Sequence, residues 1–274
     1  MSIRPPSLPS GWYPHSPNDV KSAIEEFQSQ NILYKRNALA GMVPHAGWFF
    51  SGQLACDVIG RIKPDYETIC IVGGHLPQGD KILAAKEQWF ETPLGAIENN
   101  HELLQNIRSA FSVSEDNYHD NTVEIQLPLV KHFFPHAKIL WLRVSPSKIA
   151  IELGQFLAQE KSASKMAVIG STDLTHYGPN YQFTPKGQGP LAIDWVKNTN
   201  DKGFISHILN YELSEALDHA NSHYSACSAG GAVCAAAFAK EMGIKQGQLL
   251  SYASSYDKHP SSSFVGYGAI IFEK

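Results

Sequence analysis

Three apolar runs in this chain stop in the same way. Leu39-Ala40-Gly41-Met42-Val43 leads to Pro44-His45, Thr68-Ile69-Cys70-Ile71-Val72-Gly73 leads to Gly74-His75, and Met166-Ala167-Val168-Ile169-Gly170 leads to Ser171-Thr172-Asp173. Short runs without polar alternation are what strands look like when both faces of a sheet are covered. Helical spacing intervenes between them, as with Leu54, Val58 and Ile62 inside residues 51–62. Strands alternating with helices in this way imply an α/β fold, with a central, mostly parallel mixed sheet and helices on both faces. Parallel strands present their carboxyl ends on one edge, where open α/β sheets place ligand sites. The pattern therefore predicts that His45, His75 and Asp173, with His176 shortly after, converge there.

The rest of the chain fits this frame. A helix is expected from the Ser16-Pro17-Asn18-Asp19 cap to about residue 30, a short strand at 82–85, and a hairpin or pair of edge strands in the turn-rich stretch 89–98. Helices follow at 101–111, 127–134 and 147–162, the second opened by Leu127-Pro128, with a strand at 137–144 before the third. Residues 179–189 read as a loop, and 191–196, 204–209 and 214–219 as helices. Residues 229–242 are Ala-rich and small on every side, which suits a helix packed closely on the sheet. Strands at 249–254 and 265–272 close the chain as an antiparallel pair. No repeat or linker interrupts it, so residues 1–274 are read as one domain.

Composition narrows the function classes. The 274 residues are 43% hydrophobic and 18% charged, with a formal net charge of −4. No basic run offers a footprint for nucleic acid. No stretch of about 18 uncharged apolar residues suggests a membrane span, and the Pro- and Ser-rich start lacks the apolar centre of a signal peptide. The expected compartment is the cytoplasm, with reduced thiols. Twelve histidines exceed what packing needs, and histidine is both a common metal ligand and a proton shuttle.

One of the four cysteines stands apart. Cys56, Cys70 and Cys234 lie in apolar runs and read as small core residues. Cys227 follows the polar stretch His223-Tyr224-Ser225 and precedes the small-residue helix, a position where the helix dipole is expected to lower the thiol pKa. His45, His75 and Cys227 together form an N/N/S donor set suited to iron, zinc or copper rather than magnesium or calcium. Three protein ligands leave a position open for reaction. Asp173 and His176 are the candidate acid and base. Trp48, Glu124 and Tyr224 are candidate substrate contacts, although Glu124 also suits a buried hydrogen-bonding role and Trp48 a core or pocket wall.

The motifs Gly11-Trp12-Tyr13-Pro14, Val43-Pro44-His45-Ala46-Gly47, Gly73-Gly74-His75, Val123-Glu124-Ile125-Gln126-Leu127-Pro128 and Ser171-Thr172-Asp173-Leu174-Thr175-His176-Tyr177-Gly178, then Cys227 before small residues, resemble the Memo-like family in order and spacing. Its bacterial and archaeal members are called AmmeMemoRadiSam system protein B. The resemblance implies a fold similar to class III extradiol dioxygenases, metal positions at His45, His75 and Cys227, and a cleft lined by Asp173 and His176. It also implies Fe(II) as the first candidate cofactor, with Cu or Zn as alternatives, and a pathway shared with radical-SAM and AMMECR-type proteins. The chain departs from the family in three places. Asp120-Asn121-Thr122 stands for Glu-His-Ser, and Asn121 cannot transfer protons as His does. The Gly-Gly-His-Leu-Pro segment around His75 is about one residue shorter than usual. Ser228-Ala229-Gly230-Gly231 replaces the commoner Cys-Gly-x-x-Pro.

Three functions follow from these residues. The first is a dioxygenase-like, metal-dependent oxidoreductase acting on a small, potentially aromatic molecule. The second is a non-catalytic protein that binds metal or peptide in the same cleft. The third is a metal-free hydrolase or transferase with Cys227 as nucleophile, His176 as base and Asp173 as orienter.

Overall fold

The computed structural model describes residues 2–29 and 35–274. The chain begins with strand β1 (Ile3–Arg4) and helix α1 (Pro17–Ser29). Ser16 Oγ caps α1 by accepting from the Asp19 N–H at 3.1 Å; the expected end near residue 30 lies outside the described residues. There follow β2 (Ala38–Val43), α2 (Trp48–Arg61), β3 (Thr68–Gly73), β4 (Ile82–Ala84), β5 (Trp89–Phe90), β6 (Ile97–Glu98), α3 (His101–Ala110) and β7 (Val113–Glu115). Next come α4 (Asn121–Glu124), α5 (Leu127–Phe133), β8 (Lys138–Val144), α6 (Lys148–Gln159), β9 (Met166–Ser171) and β10 (His176–Tyr177). The chain then leaves the sheet through residues 178–228, which carry α7 (Pro190–Trp195), α8 (Lys202–Leu209) and α9 (Leu213–His223). It returns with α10 (Ala229–Glu241), β11 (Gln248–Ser254), α11 (Ser255–Lys258) and β12 (Phe264–Glu273).

The main sheet has the order β10-β12-β2-β9-β3-β8-β4-β7, with β11 also on β12. Its centre, β2-β9-β3-β8, is parallel throughout. The flanks are mixed: β12 runs antiparallel to β2, β10 and β11, and β4 antiparallel to β8. Strands β1, β5 and β6 form a separate small sheet, so the turn-rich stretch becomes an antiparallel pair, as its sequence allowed. Side chains of β3 alternate between two cores. Cys70 and Val72 pack with α3, α6, α8, α9 and α10, while Ile69 and Ile71 pack with α1, α2 and α5.

Helix α10 lies directly on the strand ends. A Cβ on Gly231 would stand 2.2 Å from the Val72 carbonyl oxygen, and one on Gly170 would stand 2.4 Å from the Gly231 carbonyl oxygen. No larger residue fits this approach, which explains why the segment is so small in composition.

Three of the elements that differ from expectation show why. Helix α2 starts at Trp48 rather than near residue 51, because the Phe50 and Ser51 N–H groups both bond to the Gly47 carbonyl. The two helices expected at 191–196 and 204–209 are continuous through a π-helical segment, Val196–Asp201. The polar letters Lys-Asn-Thr-Asn-Asp carry no apolar helical spacing, yet Asn200 and Asp201 are buried and hydrogen-bonded. Strand β7 is short, polar and half-exposed, so it carried no strand pattern. Among the described residues no helix is long and apolar enough to cross a membrane.

Candidate metal centre

Strands β2, β9 and β3 are consecutive neighbours and parallel. Their carboxyl ends therefore bring His45, Asp173 and His75 to one edge. The loops after them are tied to each other. The His45 N–H donates to Asp173 Oδ1 at 2.7 Å, and Asn121 Nδ2 donates to the His45 carbonyl at 2.8 Å. Gln126 Nε2 donates to the Pro44 carbonyl at 2.8 Å. The loop after β9 also receives the fourth residue: the Cys227 N–H donates to the Asp173 carbonyl at 3.2 Å, and the Ser228 N–H to Thr172 Oγ1 at 3.0 Å.

The result is a compact donor cluster. His45 Nε2 lies 3.2 Å from Cys227 Sγ, and the His45 and His75 rings meet edge-on with centroids 4.9 Å apart. One donor atom each from His45, His75 and Cys227 falls within 4.8 Å of the others. Two ligands of a tetrahedral zinc-sized ion stand about 3.3–3.8 Å apart, given metal–nitrogen and metal–sulfur bonds of about 2.0–2.3 Å. The donor types suit a transition-metal ion, and the His45–Cys227 separation is close to that spacing, whereas the widest separation, up to 4.8 Å, would have to close by about 1 Å around an ion. The four cysteines are unpaired.

His75 reaches this cluster in an unusual backbone state, with φ +56°. Left-handed conformations are uncommon outside glycine and persist where surroundings enforce them. Here the enforcement is visible. His75 Nδ1 lies 3.0 Å from Asp120 Oδ2, and Arg143 donates from Nε to the Gly74 carbonyl at 2.8 Å. Arg143 also pairs with Asp120 Oδ2 at 3.0 Å and Asp116 Oδ1 at 3.1 Å, while Trp141 Nε1 donates to Asp116 Oδ2 at 2.9 Å. Sequence reasoning missed Asp120 and Arg143. A charged residue near the end of the buried strand β8 was the available signal.

Electrostatics follow burial. Burial, helped by the neighbouring His75, lowers the His45 pKa to about 3, so the imidazole is neutral and able to ligate. Burial raises Asp173 to about 6 and lowers His176. Burial would also raise Asp120, but hydrogen bonds from His75 and Thr122 and the Arg143 charge outweigh it and hold that carboxyl at about 2. The expected lowering of the Cys227 thiol by the helix start is not met. Burial and the Asp173 charge push it well above its ordinary value.

Two cavities flank the cluster. One, of about 810 Å³, is lined by His45, His75, Asp173 and Asn121 among others; the second, of about 600 Å³, is lined by Cys227, Leu76, Phe183 and Tyr224 among others. His176 and Tyr181 line both, their rings 4.9 Å apart. The buried His176 Nε2 has no hydrogen-bond partner.

The other sequence candidates are placed differently. Tyr224 reaches a cavity wall. Trp48 is buried, donating its indole N–H to the Ile125 carbonyl at 3.2 Å, and lines neither cavity. Glu124 does not reach the cleft either. Its buried carboxylate accepts from the Ser7 and Leu8 N–H groups, each at 2.9 Å, from Tyr13 Oη at 3.2 Å and from Ser7 Oγ. It fastens the N-terminal segment to the body.

A profile of Memo-like proteins matches residues 4–271. The chain belongs to the Memo-like family. A MEMO1 family protein of Methanosarcina barkeri is 29% identical over 283 residues, covering 99% of this chain and all (100%) of the relative. One of Pyrobaculum aerophilum is 30% identical over 297 residues, covering 99% of each chain. The crystal structure of an uncharacterized protein of Escherichia coli K12 superposes with a TM-score of 0.56 at 11% identity, covering 84% of this chain and 98% of that one. That likeness is one of fold. Within this Memo-like chain, the Asn121 amide is spent on the His45 carbonyl.

Proposed function

We propose that this Memo-like protein is a metal-dependent oxidoreductase, with Fe(II) as its first candidate metal and Cu or Zn as alternatives. The reading rests on a single observation: donor atoms of His45, His75 and Cys227 lie within 4.8 Å of one another beside two cavities. When bound, a metal held by these three residues would supply Lewis-acid or redox chemistry at an open position. The protein's own residues would manage position and protons. Asp120 accepts from His75 Nδ1, which leaves Nε2 for ligation. Asp173, at about 6, holds or releases a proton near neutrality while its Oδ1 anchors the His45 backbone. His176 lines both cavities as the candidate acid or base.

The hydrolase reading is less favoured. The thiol's hydrogen-bond partner is His45 rather than His176, and that imidazole is held neutral. The test is metal analysis of tag-free protein, repeated on His45→Ala and Cys227→Ser, followed by anaerobic Fe(II) loading and O2 uptake with a catechol panel. Near-stoichiometric metal, lost in both variants, is the expected result; unchanged metal content in both would overturn the metal assignment. Metal binding without O2 uptake on any substrate would leave a binding protein and remove the oxidoreductase.

A further inference from the structure

We propose that Asn200 and Asp201 are positioning residues for Cys227. They fasten residues 223–227 to the strand end that carries His176, and so set where the Cys227 sulfur stands beside His45. The bearing of this on a bound metal rests on the proposed function; the placement of the sulfur does not.

Neither residue belongs to the donor cluster. Both are buried, and neither lines a cavity beside the centre. What they hold is its frame. Asp201 Oδ1 accepts from the Thr175 N–H at 3.0 Å and from Thr175 Oγ1. Its other oxygen accepts from Tyr252 Oη of β11 at 2.7 Å. Asn200 Nδ2 donates to Thr175 Oγ1 at 2.9 Å and to the His223 carbonyl at 3.0 Å. That carbonyl ends α9, where no further turn can supply a donor, and Asn200 supplies it.

These bonds reach the sulfur from two directions. Thr175 is pinned to β12, where the Gly266 N–H donates to its carbonyl at 3.0 Å. Just before it, Leu174 forms an antiparallel bridge with Ala226, and the Asp173 carbonyl accepts from the Cys227 N–H at 3.2 Å. From the other side, the chain runs from the His223 carbonyl through a left-handed turn at Tyr224, φ +52°, to Cys227. Asn200 holds one end of this short span and Asp173 the other.

The backbone beneath is specialised. Asn200 and Asp201 close the π-helical segment Val196–Asp201. Such turns are rare and recur at functional sites. Burying an amide and a carboxylate also costs free energy that apolar side chains would not. Packing alone would be served by apolar residues; holding Thr175 and the His223 carbonyl at fixed points needs directional bonds.

The test uses the full chain. Asn200→Leu and Asp201→Leu keep the bulk and remove bonds to Thr175. Thr175→Val removes the shared hydroxyl, and it keeps the test open should either of the others fail to fold. Asn100→Leu is the control: Asn100 donates to Thr68 Oγ1 at 2.8 Å and caps α3, at the opposite end of β3 from His75. Iodoacetamide labelling of the metal-free chain is read for each cysteine by mass spectrometry. Co(II) titration is followed through the thiolate charge-transfer band, assigned by its loss in Cys227→Ser. Cys227 should label about tenfold faster in the two Leu variants and about threefold faster in Thr175→Val, as expected for one or two lost hydrogen bonds. The buried Cys56, Cys70 and Cys234 should stay protected. Co(II) affinity should fall by similar factors, and Asn100→Leu should move neither readout. Labelling of Cys227 at the wild-type rate, labelling of all four cysteines together, unchanged Co(II) affinity, or an equal effect of Asn100→Leu would each overturn the proposal. A wild-type chain that binds no Co(II) would remove the metal centre instead, and the labelling rates would still decide whether Asn200 and Asp201 place the sulfur.

Discussion

Asp120 Oδ2 stands 3.0 Å from His75 Nδ1 and makes His75 a residue of fixed tautomer. The carboxylate is ionised down to about pH 2, so it accepts and the ring nitrogen donates. Asp120→Asn keeps the shape and removes the charge. Affinity for Fe(II) or Zn(II) should fall about 10- to 100-fold, the usual effect of losing a carboxylate behind a ligating histidine. Calorimetric titration would check it, with thermal unfolding as a companion. Arg143 keeps its pair with Asp116 in the variant, so a stability loss of about 1–3 kcal/mol is expected rather than unfolding.

Metal uptake should release a proton. In the proposed centre the thiolate would be the ligand, and burial together with Asp173 keeps the Cys227 thiol protonated in the free protein. His45 contributes none, since it is already neutral above about pH 3. Titration in buffers of different ionisation heats should give about one proton per metal. Affinity should weaken as pH falls, and Cys227→Ser should abolish the proton release.

Asp201 predicts an inverted dependence of stability on pH. It is buried in the π-helical segment, accepts from the Thr175 N–H at 3.0 Å and from Tyr252 Oη at 2.7 Å, and burial raises it to about 7. In the unfolded chain an aspartate titrates at about 3.9. Between these values the native state binds more protons than the unfolded state, so this group stabilises most below the lower value, and its contribution is lost as pH rises to about 7. Asp201→Asn should flatten that part of the profile, by up to about 1.4 kcal/mol per pH unit. Urea unfolding at several pH values measures it. Asp173 shifts in the same direction, so some slope will remain.

Glu124 predicts that the first residues are structural. Glu124→Ala would leave the Ser7 and Leu8 N–H groups and Tyr13 without their acceptor. A loss of about 2–4 kcal/mol is expected, from stranded donors and a lost charge-assisted network. Limited proteolysis should then cut ahead of Tyr13 in the variant and spare the wild type.

Strand ends were the legible part of this chain. β3 runs from Thr68 to Gly73, as its apolar letters suggest, and His45, His75 and Asp173 converge because buried strands announce both their extent and their stop. Cys227 was legible through its place before a helix of small residues, but its ionisation was not. The dipole argument is local, whereas the burying surfaces and Asp173 come from distant segments. Asp120 was hidden for a similar reason. Its meaning depends on Arg143, which follows in sequence but sits beside Gly74 only once β3 and β8 pair. Glu124 and Trp48 failed as cleft residues because their partners, Ser7, Leu8, Tyr13 and Ile125, saturate them away from the edge.

The four central residues have unequal freedom to change. His45, Asp173 and His75 hang from three hydrogen-bonded strands, whose spacing is set by the ladder itself at about 4.8 Å. Cys227 and the aromatic wall around it arrive on residues 178–228, outside that ladder. Insertions, deletions or substitutions there can redraw the ligand chamber, or exchange the sulfur donor, while the two histidines keep their separation. Selection can therefore retune what this cleft accepts without rebuilding the centre it surrounds, so specificity should diverge among relatives faster than the histidine geometry does.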